Sequence, residues 1–254
     1  MPKLLEGKTA VISGIANKWS IAFAIAEAFA REGASLVLTY LNDKQKEAIE
    51  TISSGLAITG TIPCDVTRDE DLAALPDRFS EFGRPIDALI HSLAFANRED
   101  LCSPFVETSR EGFLLAHNVS AYSLVAMSRA ISPLMTQGGS ITTLTYIGAT
   151  RVMPNYNVMG VAKASLEAAV RYLAYDLGPS KIRVNAISAG AIKTASARAV
   201  KDFSRILDVA KEESPFRRPT EPSEVADSAV FLASDLGRGV TGNILFVDSG
   251  MHLM

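Results

Sequence analysis

Cysteine is almost missing from this chain: Cys64 and Cys102 are the only two in 254 residues. Two thiols so far apart support neither a disulfide framework nor a cysteine-rich zinc site, and a reducing compartment fits. His91, His117 and His252 have no metal-ligand spacing with one another or with the cysteines, so they read as structural and no metal is expected. The sequence also has no apolar run of about 20 residues, the length that crosses a bilayer. The opening MPKLLEGKTAV carries no apolar core of a signal peptide, and the expectation is a cytoplasmic protein with no membrane partner. Positive charge is not in excess. The net charge of −3 leaves no electrostatic footprint for nucleic acid.

What is present is an ordinary globular composition, 48% apolar and 21% charged, in a chain long enough for one large core. TAVISG (9–14), SLVLTY (35–40), ITGTIPCDV (58–66), DALIHSLA (87–94), GSITTLTY (139–146), IRVNAISAG (182–190) and NILFVDSG (243–250) read as strands. Most are apolar enough to be covered on both faces. Helical segments fall between them, over 20–33 with Ser20 as N-cap and Gly33 beyond the C-terminus, and near 43–54, 68–82, 109–135, 155–177 and 221–234. Strand and helix alternating in this way predict an α/β fold: a single Rossmann-type domain over 1–254, with a doubly wound, seven-stranded parallel sheet and helices on both faces. No repeat or linker interrupts it. The one irregularity is the insertion at 191–214, which follows a strand's carboxyl end and reads either as a lid over a ligand or as a surface excursion.

The turn after the first strand is GIANKWSIA, which lacks the second and third glycines of G-x-G-x-x-G. Gly14 permits a tight turn, the Ser20 hydroxyl can meet a phosphate, and the amides of Ser20 and Ile21 open a helix toward an anion. A plain strand-to-helix connection is the alternative reading. TYLNDK, after the second strand, has neither an acid nor an arginine at its start, since Leu41 and Asn42 precede Asp43. Asp65, ending the third strand, can accept a hydrogen bond from an adenine amino group or cap the helix near Arg68.

In YNVMGVAK the seven-residue spacing leaves Tyr156 about 20° from Lys163 around a helix, so both can enter one pocket. A nearby ammonium favours phenolate, which predicts a lowered tyrosine pKa and an acid pair. An amphipathic helix gives the same spacing by chance. Tyr146, ending the fifth strand at the edge where chemistry is expected, favours the catalytic reading. Met159 is core or pocket wall.

These stretches together, with RVNAISAGAIKT and LFVDSG, resemble the NADH-dependent enoyl-acyl-carrier-protein reductases, a divergent branch of the short-chain dehydrogenase/reductase family, from Gly7 to Gly250. Ordinary members carry Ser and Tyr-x3-Lys. The resemblance implies reduction of the trans-2 double bond of enoyl thioesters on acyl carrier protein, with NADH as cofactor, in fatty acid elongation. It implies that Tyr156 polarises or protonates the thioester oxygen and that Lys163 binds the nicotinamide ribose. Tyr146 falls at the ordinary serine position. The implied cofactor site is Gly14, Ser20, Ile21, Asp65, Val66, Leu93 and Lys163, with Ile192, Lys193, Thr194, Ala195 and Ser196 near the nicotinamide. Ala96, Tyr146, Tyr156 and Phe203 are the implied substrate contacts, and Phe95, Met153, Pro154 and Ile192 can line an acyl channel. Leu41 departs from the polar residue often found at the adenosine ribose. Trp19 packs over the cofactor's edge. A homotetramer is the family's usual assembly. An ordinary ketone reductase is disfavoured by Met159 and Tyr146, and a catalytically silent dinucleotide-binding scaffold by the joint presence of Tyr146, Tyr156 and Lys163.

The tyrosine shift has a physical sense. Three residues along a helix move its root by roughly 4.5 Å. In enoyl reduction, hydride reaches the β-carbon while charge gathers on an oxygen two carbons away, so acid and hydride donor need that separation.

Overall fold

The computed structural model describes residues 3–194 and 203–254, with the Phe203 side chain excepted. Seven parallel strands form one sheet in the order β3-β2-β1-β4-β5-β6-β7. They are β1 (Thr9–Ser13), β2 (Ser35–Tyr40), β3 (Ile58–Pro63), β4 (Ala88–His91), β5 (Gly139–Thr145), β6 (Ile182–Ala189) and β7 (Ile244–Val247). Alternate strand residues feed two cores. Ala10, Ile12, Leu36, Leu38 and Ile90 pack beneath α1 (Ile21–Arg31), α2 (Asp43–Ile52) and α9 (Pro222–Ala233). Val11, Val37, Leu89, Ile141 and Val184 pack beneath α3 (Asp69–Ser80), α6 (Ser123–Ile131) and α7 (Asn157–Leu177). β1, β2, β4, β5 and β6 are buried on both faces as their apolar runs predicted, while β3 and β7, at the two sheet edges, are only partly buried.

The long segment expected at 109–135 is broken into α5 (Arg110–His117), a π-helical turn Asn118–Tyr122, and α6. A short α4 (Arg98–Cys102) precedes it, and α8 (Phe203–Glu213) occupies the insertion. Ser20 caps α1 by accepting from Phe23 N at 3.3 Å, and Gly33 takes φ +91°, as their residue types suggested. Asp65 does not cap α3. Its Oδ1 accepts from the Thr67 amide at 2.9 Å and the Thr67 hydroxyl at 2.7 Å, closing a local turn two residues earlier.

Sheet order reverses between β1 and β4, which splays their connections apart and opens a crevice above their carboxyl ends. Gly14 sits at this point with φ +94°. A Cβ there would lie 2.0 Å from the Ser92 carbonyl oxygen, so both conformation and space demand glycine.

Candidate active site

The crevice holds a cleft of about 430 Å³. At one end are Gly14, Ala16, Ser20 and Ile21; at the other are Tyr146, Tyr156, Met159 and Lys163. The phosphate-turn residues and the tyrosine-lysine pair, predicted separately, therefore share one cavity. Leu93, Ala96, Ile192 and Thr194 also line it, as does Phe95. Asp65 and Val66, which follow β3, are not among the residues lining this cleft, and the Lys193 side chain is exposed. Ala195 and Ser196 lie outside the described residues, as does the side chain of Phe203.

The pair is built by the strand and helix that flank it. Lys163 is buried in α7, and its Nζ donates to the Leu144 carbonyl at 2.7 Å. Burial lowers its pKa to about 8, and the Glu167 carboxylate one turn along opposes that shift. Glu167 is itself held by Thr145, whose hydroxyl donates to Oε1 at 2.8 Å. Burial raises the Glu167 pKa.

Tyr156 is the residue before the first turn of α7, and its ring meets Tyr146 edge-on with centroids 5.0 Å apart. Burial, then the neighbouring Tyr146, raise its pKa. The expectation that Lys163 would lower it is thus corrected: the ammonium is directed at a strand carbonyl and burial dominates. Burial likewise pushes Tyr146 up to about 12, with Asp248 adding to it. Both phenols are neutral hydrogen-bond donors at neutral pH.

Two glycines set the ring of Tyr156. A Cβ on Gly148 would lie 2.6 Å from Tyr156 Cδ1 and 3.3 Å from Tyr146 Cδ1, while one on Gly160 would lie 2.8 Å from the Gly148 carbonyl oxygen. Neither has a positive φ. Their role is space: the turn Ile147–Ala149 lies directly on the start of α7. Asn157 ties that start to α4, donating from Nδ2 to the carbonyls of Leu101 (3.1 Å) and Ser103 (2.6 Å). Met159 proves to be both core and wall, since it packs with Leu101 and Val158 and also lines the cleft.

The turn fits a pyrophosphate by its backbone. The Ser20 amide, expected to face the anion with that of Ile21, donates instead to the Asn17 carbonyl at 3.1 Å; the amides of Ile21 and Ala22 have no acceptor within α1 and point out of its N-terminus. The Ser20 hydroxyl is less available than its position suggested, because it donates to the Asn17 carbonyl at 2.7 Å. Sequence reading missed Gln45, Ser92, Ala94, Leu101, Thr145 and Gly190 in the lining. Ser92 was within reach, as it follows β4 at the reversal of strand order; Gln45 carried no signal beyond being a polar residue on a helix.

A second chamber of about 410 Å³ shares Tyr146, Met153, Gly190 and Ile206 with the cleft. Val152, Pro154, Val209 and Met251 make its walls, so Met153 and Pro154 lie where an acyl channel was expected. His91 is structural. It is buried between Thr143 Oγ1 (2.9 Å) and Ser123 Oγ (2.7 Å), and burial lowers its pKa to about 3. Among the described residues no group of three or more His, Cys, Asp or Glu is placed to hold a metal, and no described helix is long and apolar enough to cross a membrane.

A parallel sheet with a glycine turn at its switch point and a tyrosine-lysine pair in the same cleft defines the short-chain dehydrogenase/reductase class. Within that class, the family model described as Enoyl-(Acyl carrier protein) reductase matches residues 14–252. An enoyl-[acyl-carrier-protein] reductase [NADH] FabI of Bacillus cereus is 52% identical over 99% of both chains. An enoyl-[acyl-carrier-protein] reductase [NADPH] FabI of Staphylococcus aureus is 49% identical over 98% of both. The crystal structure of the Bacillus cereus enoyl-acyl carrier protein reductase with NADP+ and indole naphthyridinone matches with a TM-score of 0.97 at 52% identity, covering 99% of each chain. The chain belongs to the enoyl-(acyl carrier protein) reductase family.

Proposed function

We propose that this protein reduces the trans-2 double bond of enoyl thioesters carried on acyl carrier protein, with NADH, in fatty acid elongation in the cytoplasm. The convergence of Tyr156, Lys163 and the Gly14–Ile21 turn on one cleft carries this reading. The Gly14–Ile21 turn and Lys163 would hold NADH, which would supply the hydride for the substrate β-carbon. Tyr156, neutral and rigidly seated, donates a hydrogen bond to the thioester oxygen as charge develops there, which stabilises the transition state more than the ground state. Lys163 spends one N–H on Leu144; two remain for ribose hydroxyls, and its charge favours the developing enolate. Tyr146 packs the Tyr156 ring and reaches the second chamber, where the acyl chain runs. The 191–214 segment acts as the lid: Ile206 of α8 lines both cavities. NADH consumption with a trans-2-enoyl thioester, and none with a 3-ketoacyl thioester, tests the reaction; the reverse result would mark an ordinary ketone reductase.

The carrier protein docks at the lid. Lys193 and Arg205 are exposed there, Arg205 at the chamber wall; Arg198 and Lys201, which extend the cluster in sequence, lie outside the described residues. Neutralising Lys201 and Arg205 is expected to slow the reaction of carrier-bound substrate at low salt and to spare a small thioester, because rim charges act on association. An unchanged rate with carrier-bound substrate would place docking elsewhere.

The assembly is a homotetramer. Phe113 and Leu114 of α5 and Tyr172 and Tyr175 of α7 are exposed, an apolar surface suited to helix pairing across one two-fold axis. At the β7 edge Phe246, Leu253 and Met254 are exposed for a second. Light scattering should give four times the chain mass at micromolar concentration; a monomer would contradict this.

A further inference from the structure

In doubly wound folds the residue at the carboxyl end of the second strand meets the adenosine ribose, an acid for the free 2′-hydroxyl or an arginine for a 2′-phosphate. Here that residue is Leu41, whose side chain is 55% exposed and outside the cleft lining. The polar group comes from one turn further on. Gln45, in the first turn of α2, lines the cleft beside Gly14, Ala16, Ser20 and Ile21.

Its side chain is fixed at both ends. Oε1 accepts from the Leu41 amide at 2.6 Å, and Nε2 donates to the Ile15 carbonyl at 2.9 Å. The Gln45 amide in turn donates to Asn42 Oδ1 at 3.0 Å, so its main chain is held by the cap of α2. These bonds bridge the exits of β1 and β2. A long side chain tethered in this way has already lost its rotamer freedom before any ligand arrives.

The remaining valences decide what it can read. A primary amide has two N–H donors and two acceptor lone pairs, and one of each is used, which leaves one donor and one acceptor. A hydroxyl group donates once and accepts readily, so it satisfies both. A phosphate offers acceptors alone and would face the amide oxygen, and no cation lines the cleft at this end. Lys163, at the far end, is the only Lys or Arg among the described lining residues. Of the cations near in sequence, Lys46 pairs with Glu50 at 3.9 Å and Lys18 lies 4.8 Å from the Trp19 ring centroid, while Lys44, beside Gln45, is exposed and is not among the residues lining the cleft.

We infer that Gln45 is the residue that reads the adenosine ribose, taking the place Leu41 has vacated and selecting a free 2′-hydroxyl over a 2′-phosphate. The inference rests on the cofactor reading above, and it addresses what overall similarity leaves open, since relatives named for NADH and for NADPH are about equally identical to this chain.

The test is direct titration of NADH and NADPH, by the fluorescence of the bound nicotinamide, into the enzyme without substrate. The unmutated protein should bind NADH about tenfold more tightly than NADPH, the size of one or two net hydrogen bonds. Gln45→Leu should weaken NADH by about tenfold and change NADPH little, so that the ratio collapses toward one. Gln45→Arg should invert the ratio, and it carries the decision if the leucine variant does not melt cooperatively. A parallel loss of both cofactors in Gln45→Leu would make the residue a tether only and overturn the inference. So would an unchanged ratio in both variants, or a preference for NADPH in the unmutated protein. Binding of neither cofactor by the unmutated protein would instead overturn the proposed function itself.

Discussion

Tyr156→Phe is expected to lower kcat by about 10²–10³ while leaving the NADH dissociation constant unchanged, the usual cost of one donor aimed at developing charge. The ring is what packs: it lies on Gly148 and against Tyr146, and phenylalanine keeps both contacts. Only the hydroxyl goes, and it matters most in the transition state, so kcat and kcat/KM should fall together. A smaller loss would mean that water or the Tyr146 hydroxyl substitutes; the double variant with Tyr146→Phe separates these. Loss of NADH binding in Tyr156→Phe would contradict the assignment.

Lys163→Met should act on both quantities. Removing the ammonium would delete the proposed ribose contacts together with the charge, so the NADH dissociation constant should rise as the rate falls. The pH dependence gives a second handle. With the Lys163 pKa lowered to about 8 by burial, turnover that needs the ammonium is full below that value and declines as pH rises through it. The stability contribution of the same group runs the other way. Its native pKa lies below the ordinary 10.5, so the unfolded chain binds more protons between about 8 and 10.5 and this site favours the fold increasingly across that window. An alkaline loss of activity without a fall in melting temperature is therefore the expected signature, and it should be missing from the residual activity of Lys163→Met. An alkaline limb retained in that variant would assign the titration to another group.

Most of the fold was legible because it rests on long apolar runs separated by helix-length segments; all seven strands stand within a few residues of their expected positions. What escaped was local. The π-helical turn at 118–122 inserts itself into a continuous helical pattern, and α4 is too short to show a period. In the site, the pairing of Tyr156 with Lys163 followed from spacing, but the direction of the tyrosine pKa did not, because it depends on how deeply the ring is buried and where the ammonium points. Asp65 was open between two roles in sequence; the capping of α3 is the one not taken, because its Oδ1 closes a turn with Thr67 instead. Gln45 was invisible for a related reason: which side chain fills the space left by Leu41 is decided by tertiary placement.

The seat made by Gly148 and Gly160 bears on how this protein tolerates change. Neither glycine has a functional group, yet a single methyl at 148 would meet the Tyr156 ring and one at 160 would meet the Gly148 carbonyl. In a survey of every possible substitution, these two positions should be as intolerant as the tyrosine itself, and a variant at either would lose catalysis before it lost the fold. An observer ranking positions by sensitivity alone would then count four essential residues in the stretch 148–163, of which only Tyr156 and Lys163 are assigned chemistry in the proposed reaction. The other two are empty places, kept vacant so that a ring can lie flat.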